Sequence, residues 1–289
     1  MNIKIANRAK AIRPSPTLSV TAKAREMQAA GIDVINLGAG EPDFNTPDYI
    51  KEAGKEAIDQ NFTRYTVAAG ILPLREAICA KLKMDNDLDY TPTQVLVSPG
   101  AKAAIINVLM SVCDPRDEVF IPSPYWVSYT SQVEMADAFP IILPTNEASQ
   151  FKITARQLEE AILYHTTPKA LIITSPDNPT GCVYTRQELE EIGEICLKHN
   201  IIIISDEIYE KIIYDGLKHV SIASISPEIK KITVLINGVS KAYAMTGWRL
   251  GYAAGNEEII KRAGRIQEHT TSNVCSITQK AALAALTID

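Results

Sequence analysis

Cysteine, histidine and tryptophan are scarce in this 289-residue chain, which has five, four and two of them. The cysteines Cys79, Cys113, Cys182, Cys196 and Cys275 are odd in number and form no C-x-x-C pair, which excludes a disulfide framework and reads as reduced, buried thiols. The four histidines show no metal-ligand cluster. No apolar run is long enough to cross a bilayer. Excess positive charge is missing too: a net charge of −5 gives no electrostatic reason to hold nucleic acid or an anionic membrane surface. There is no internal repeat and no low-complexity linker.

What is present is a composition, 46% hydrophobic and 22% charged, that can bury a large core in one big domain or one domain plus part of another. Strand-like stretches at 119–121, 140–143, 170–174, 201–205 and 232–236 alternate with helical patterns, which predicts an α/β fold with a mainly parallel sheet covered on both faces. Thr154-x-x-Gln157 and Thr185-x-x-Glu188 read as capping boxes at helix starts. After the second, Leu189, Ile192, Cys196 and His199 keep helical spacing toward the core.

Four segments carry chemistry. Lys241 follows an apolar stretch and is flanked by small and apolar residues, so it is expected to be partly desolvated, with a lowered pKa and an amine able to form a Schiff base; a lone lysine there would otherwise be a surface residue opening a helix. The run Ile201 to Ser205 reads as a strand buried on both faces, and Asp206 stands at its carboxyl end, where open α/β sheets form their ligand crevice. A buried aspartate there calls for a cationic partner; the alternative is an acid capping the next turn. Ile172 to Gly181 is a strand running into a loop with Asn178-Pro179-Thr180-Gly181, in itself an ordinary turn signal. Val95 to Ala104 brings a strand through Gly100 into a helix with Ile105, Val108 and Leu109 on its apolar face, and the free N–H groups at such a helix start suit an anion.

In this order and spacing, together with Asn36 to Phe44, Arg64-Tyr65 and Pro124-Tyr125-Trp126, these segments resemble the class I pyridoxal-phosphate-dependent aminotransferases, most closely the bacterial-type aspartate aminotransferases. The resemblance runs from Ser15 to the end of the chain. It implies a three-layer α/β/α large domain over 46–289, preceded by an arm and part of a small domain over 1–45, with the small C-terminal domain largely absent. It also implies a homodimer, while the composition agrees with a soluble cytoplasmic enzyme. The first 25 residues contain no acid and carry Lys4, Arg8, Lys10, Arg13, Lys23 and Arg25, a faint transit-peptide pattern, but Pro14-Ser15-Pro16-Thr17 matches the family's own amino-terminal segment.

Carried over by resemblance, Lys241 holds pyridoxal 5'-phosphate covalently and later moves the substrate's α-proton, while Asp206 keeps the pyridine nitrogen protonated. Asn178 and Tyr209 bond the ring's phenolic oxygen, and Trp126 stacks on the ring. The phosphate is bound by the N–H groups of Ala101 and Lys102, the Ser240 hydroxyl, Arg249, and Tyr65 of a neighbouring subunit. Gly38 contacts the substrate carboxylate. Singly, Trp126, Tyr65 and Arg249 are equally well a core aromatic, a rim residue and the partner of a surface acid. The bonds before Pro124 and Pro179 match positions that are cis in relatives.

The resemblance implies departures as well. Family members continue past Thr287-Ile288-Asp289 into a region holding the arginine for the substrate α-carboxylate, so if 289 residues were the whole polypeptide, transamination is expected to be severely impaired. Asp177 adds a carboxylate before Asn178, which raises neighbouring pKa values unless it faces solvent. Lys102 can meet a distal carboxylate, favouring aspartate with 2-oxoglutarate as acceptor. Prephenate, to which Arg13 could contribute, and aromatic or alanine donors remain alternatives. A second hypothesis is a cofactor-binding fragment without turnover. A nicotinamide-binding fold is a distant third, because Gly38-x-Gly40-x-x-Asp43 departs from the dinucleotide fingerprint.

Overall fold

The computed structural model describes residues 3–6, 9–10, 12, 14, 16–38 and 40–288. Arg8, Arg13, Ser15, Ala39 and Asp289, which figure in the sequence reading, lie outside the described residues. Helices α1 (Pro16–Ala29), α2 (Asp48–Asp59) and α3 (Leu72–Asn86) precede strand β1 (Val95–Ser98) and helix α4 (Ala101–Val112). Next come β2 (Glu118–Ser123), α5 (Ser128–Met135), β3 (Phe139–Pro144), α6 (Ala155–Tyr164), β4 (Pro168–Thr174), α7 (Arg186–Lys198) and β5 (Ile202–Asp206). The remainder is α8 (Pro227–Ile232), β6 (Thr233–Gly238), β7 (Gly251–Ala254), α9 (Glu257–Thr270) and α10 (Ser276–Thr287).

The seven strands form one sheet in the order β1-β7-β6-β5-β4-β2-β3. Every pairing is parallel except those of β7, which runs antiparallel to both β1 and β6. Antiparallel twice over, β1 therefore points the same way as β6, and Ser98 and Gly238 meet the same residue, Gly251. The carboxyl ends of β1, β2, β4, β5 and β6 thus share one edge, where ligands of open α/β sheets bind.

Alternation along the strands sorts the core into two faces. Ile121, Ile172, Ile204, Ile236 and Ala253 pack with residues of α4, α5 and α9. Phe120, Leu171, Ile173 and Ile203 pack with residues of α6 and α7 on the other face. Leu235, Tyr252 and Ala254 pack with residues of α2, α3 and α10. The expected three-layer α/β/α arrangement follows, and no helix among the described residues is long and apolar enough to cross a membrane.

Some local readings differ. Strand β7 went unpredicted, since Gly-Tyr-Ala-Ala is short and carries little β-branched character. The Thr185 capping box forms in full, whereas at α6 only Thr154 caps: the Gln157 amide turns to the Pro144 carbonyl at 2.6 Å instead. His199 is the C-cap of α7 and meets Glu159 rather than the core. All five cysteines are free, but they are not all buried: Cys275 is exposed, and Cys79, Cys113 and Cys182 are half-buried.

Close backbone approach at the shared edge makes one glycine exacting. A Cβ on Gly251 would lie 2.3 Å from the Ala101 nitrogen and 2.6 Å from the Gly100 carbonyl carbon, both backbone atoms. Gly251→Ala is expected to destabilise the fold by at least about 1–3 kcal/mol, the usual cost of overpacking. A urea midpoint equal to wild type would contradict this contact.

Candidate active site

The edge loops converge on Asp206 and Lys241. Asp206 is the last residue of β5, 3% exposed, and the sheet register sets it beside Thr174 of β4. Its Oδ2 accepts from the Tyr129 hydroxyl at 2.8 Å and its Oδ1 from the Ile208 N–H at 3.3 Å. Tyr129 has one proton to give, so Thr174 Oγ1, also 2.8 Å away, donates to the tyrosine oxygen. Burial pushes the Asp206 carboxyl up to about 6 against those hydrogen bonds, with Glu207 and Asp177 adding repulsion. No cation among the described residues offsets it.

Lys241 lies in the turn after β6, half-buried, and its Nζ donates to the carbonyl of Gly40. The same ammonium stands 5.4 Å from the Tyr209 ring centroid. Burial lowers its pKa; Glu41 opposes that shift and Arg249 adds to it. The sequence expectation of a partly desolvated amine is met by this environment. Tyr209 sits three residues past Asp206, and its hydroxyl accepts from Asn178 Nδ2 at 3.4 Å. Burial and the nearby Asp206 push the Tyr209 phenol up to about 12.

An uncapped helix start and an arginine flank this pair. Gly100 carries no side chain to cap α4, so the first N–H groups, on Ala101 and Lys102, have no side-chain partner. A Cβ on Gly100, whose φ is +86°, would fall 2.7 Å from Arg249 Nη2, so the guanidinium packs on the glycine at the helix start. Arg249 Nη1 donates to the Thr246 carbonyl at 2.9 Å, and no ion pair to it is found among the described residues. Buried Ser240 follows Val239 in the same turn as Lys241. Beyond Arg249 opens a cleft of about 620 Å³ lined in part by Pro99, Ala244, Trp248 and Asn273.

Trp126 is half-buried after β2 and packs edge-on to Tyr129, centroids 5.4 Å apart at 85°. Lys102 Nζ lies 4.8 Å over the Trp126 ring, with its pKa lowered by burial and then by Arg249. Asp177 faces inward: its Oδ2 accepts from Thr180 Oγ1 at 2.7 Å, and burial raises its pKa. The bonds before Pro124 and Pro179 are cis, as is the one before Pro176. Gly38 is half-buried, its N–H donating to Asn36 Oδ1 at 2.9 Å. Tyr65, 93% exposed, does not join the cluster within this chain.

Tyr129, Thr174 and the Gly40 carbonyl were not singled out by the sequence. Tyr129 in α5 has the spacing of a core aromatic, and only the β4–β5 register reveals its task. Tyr129→Phe removes the sole side-chain donor to Asp206 among the described residues. The ligand-free variant is expected to lose about 1–3 kcal/mol, the usual cost of stranding a buried acceptor, with a larger loss at pH 8 than at pH 5 because only the charged carboxylate needs the donor. Urea denaturation at the two pH values checks this; equal losses would mean that the hydroxyl serves packing alone.

A buried carboxylate and a desolvated lysine stand at the strand ends of a mainly parallel sheet, beside an arginine-backed helix start, the layout of an α/β enzyme with its crevice at the carboxyl edge of the sheet. The family described as aminotransferase class I and II matches residues 32–288, and the chain belongs to it. Aspartate aminotransferase of Bacillus subtilis (strain 168) is 50% identical over 98% of this chain and 72% of its own length. That of Geobacillus stearothermophilus is 52% identical over the same shares. A probable aspartate/prephenate aminotransferase of Rickettsia bellii (strain RML369-C) is 49% identical over 98% of the chain and 70% of its own. Among solved structures, the aspartate aminotransferase of Rhizobium meliloti superposes with a TM-score of 0.95 at 39% identity, covering 100% of this chain and 72% of that one.

Proposed function

We propose that this aminotransferase works with pyridoxal 5'-phosphate, taking the amino group of aspartate and passing it to 2-oxoglutarate. The observation that carries the reading is Asp206, a buried carboxylate without a cationic partner among the described residues, in the same cluster as the desolvated amine of Lys241. A protonated ring nitrogen suits the first and a carbonyl carbon the second. The Gly100–Arg249 contact at the start of α4 fits a phosphate, whose two charges need both an arginine fork and backbone donors.

When bound, the cofactor supplies a conjugated cationic ring that withdraws electrons from the substrate α-carbon. Asp206 keeps that cation in place. Lys241, its amine favoured in the neutral form by desolvation, would take the proton from the substrate α-carbon and hand it to the cofactor carbon that receives the amino group. Asn178 and Tyr209 donate to the ring's oxygen, Trp126 walls one face, and Ser240, Arg249 and the Ala101 and Lys102 N–H groups hold the phosphate. Gly38 would meet the substrate carboxylate through its backbone. Lys102, already depressed in pKa by burial and Arg249, gains from pairing with the distal carboxylate of aspartate.

A homodimer belongs to the same reading: Tyr65, adjacent to Arg64 and almost wholly exposed, is free to reach the phosphate of a second copy. The relatives named for aspartate and prephenate make prephenate a second acceptor of the amino group to assay. The decisive experiment adds pyridoxal phosphate, traps with borohydride and maps the label, then treats an untrapped sample with aspartate while the absorbance is followed. Label on Lys241 with spectral conversion supports the reading; label without conversion leaves a binding protein, and no label overturns it.

A further inference from the structure

Behind the Asp206–Tyr209 turn lies a second set of ionisable groups that the mechanism does not use. Glu207 and Glu210 are 1% and 7% exposed, and the side chains of Lys81 and His219 are 7% and 10% exposed. The ligand atoms of Glu207, Glu210 and His219 lie within 4.8 Å of one another, a spacing that a metal ion could use. Each carboxylate oxygen, however, already accepts a hydrogen bond. Glu207 Oε1 takes Ser205 Oγ at 2.9 Å and Ser221 Oγ at 2.7 Å, and Oε2 takes His219 Nε2 at 2.8 Å. Glu210 Oε2 takes Asn86 Nδ2 at 3.0 Å, and its Oε1 takes the Lys81 ammonium, which fills the place of a cation.

Two carboxylates face the Lys81 ammonium and the His219 imidazole, with Asp85 at the rim 3.5 Å from Lys81 and 2.8 Å from Lys211. Burial works against a charged imidazole, and Glu207 and Glu210 outweigh both burial and Lys81, so His219 is pushed above its ordinary pKa. The spacing is the telling part. Asp206 and Tyr209 present to the candidate site, and Glu207 and Glu210, each one residue further on, anchor the same turn to α3 and to the 219–221 segment. The turn is also fastened by its backbone, with Glu207 N–H donating to Ile236 O at 2.8 Å and Glu210 N–H to Glu207 O at 3.0 Å. Moving it would strand buried carboxylates, which is costly.

We propose that Glu207 and Glu210 are positioning residues for the aminotransferase site: held from behind by His219, Ser221, Lys81 and Asn86, they fix the Asp206 carboxylate and the Tyr209 hydroxyl relative to Lys241. Buried ion pairs contribute little net stability compared with apolar residues of equal size, so geometry is what this set supplies. The effect on turnover rests on the cofactor reading given above; the effect on Asp206 does not.

The test compares Glu207→Gln, Glu210→Gln and Ser221→Ala with a control at the surface pair of Glu159 and Lys198, Glu159→Gln. Expected in folded variants is a fall in kcat of about tenfold or more with KM nearly unchanged, because small misplacements of catalytic groups are expensive. The pH midpoint of the bound cofactor's absorbance is expected to move by about half a unit or more, because the Tyr209 hydrogen bond tunes it. In the ligand-free protein, the carbon-13 titration of the Asp206 carboxyl should move as well. Ser221→Ala is the critical variant, since it keeps the Glu207 charge and removes one donor; a shifted Asp206 midpoint there reports geometry, not charge. It also stands in if the glutamine variants do not fold. An unmoved Asp206 titration in folded Ser221→Ala and Glu210→Gln, with activity following only the folded fraction, overturns the proposal. If the wild type binds no pyridoxal phosphate, the functional reading fails, while the Asp206 titration still decides this one.

Discussion

Lys241→Ala is expected to abolish covalent capture of pyridoxal phosphate and to lower turnover by at least about 10²–10⁴-fold, the share that a positioned general base contributes by itself. The fold should survive. The side chain is half-buried, and among the described residues its Nζ hydrogen-bonds the Gly40 carbonyl without a carboxylate partner, so its removal strands no buried charge. Lys241→Arg separates charge from chemistry: it retains a cation beside Tyr209 but cannot give up its proton at working pH, so it should fail as completely as alanine. Mass mapping after borohydride reduction provides the check. Cofactor still trapped on Lys241→Ala, or turnover by Lys241→Arg near wild type, would place the reactive amine elsewhere.

The residues that became legible from sequence are those whose chemistry is announced by a strand end. Asp206 follows a run of isoleucines, and Lys241 follows the strand of β6, so period and position set both at strand ends, while their assignment to a site came from the resemblance. The central parallel strands β4, β5 and β6 could be read for the same reason, being continuous apolar runs buried on both faces. What stayed hidden depends on partners far away in the chain. Arg249 was grouped with the Ala101 and Lys102 N–H groups by the resemblance, but its contact at the start of α4 exists because Gly100 leaves room for the guanidinium, and nothing near either residue reveals that contact. Tyr129 looks like core until β4 and β5 pair Thr174 with Asp206. Glu207 and Glu210 were not singled out by the sequence: Asn86 and Lys81, 124 and 129 residues before Glu210, hold the one inside, and His219 and Ser221 hold the other. Strand β7 was lost for a different reason: its four residues are dictated by space between β1 and β6, where Gly251 must pass against Ala101, and not by strand propensity.

Asp206→Asn should separate stability from function in opposite directions. With a folded pKa raised from 3.8 to about 6, the native state of the ligand-free protein binds the proton more tightly than the unfolded chain. The stability linked to this group is therefore fully present below pH 4 and is lost as pH rises through 6; the gap corresponds to about 3 kcal/mol as an upper bound. Asparagine cannot ionise, keeps the shape, and still accepts from Tyr129 through its amide oxygen but loses the Ile208 N–H bond, so the ligand-free variant is expected to fall about 1 kcal/mol below wild type near pH 4 and to exceed it at pH 8. The same change removes the anion that holds a ring cation, so cofactor affinity and turnover should both fall, turnover by about 10²-fold or more if the loss resembles removal of one strong electrostatic contact at the reacting centre. Urea midpoints at pH 4.5 and 8, with and without pyridoxal phosphate, together with kcat, read all of this. A variant less stable than wild type at pH 8 would show that Asp206 is already compensated by the protein itself. Unchanged turnover would remove it from the reaction. The predicted crossing, more stable when empty and much slower when loaded, is what a carboxylate buried for the sake of a ligand's charge requires.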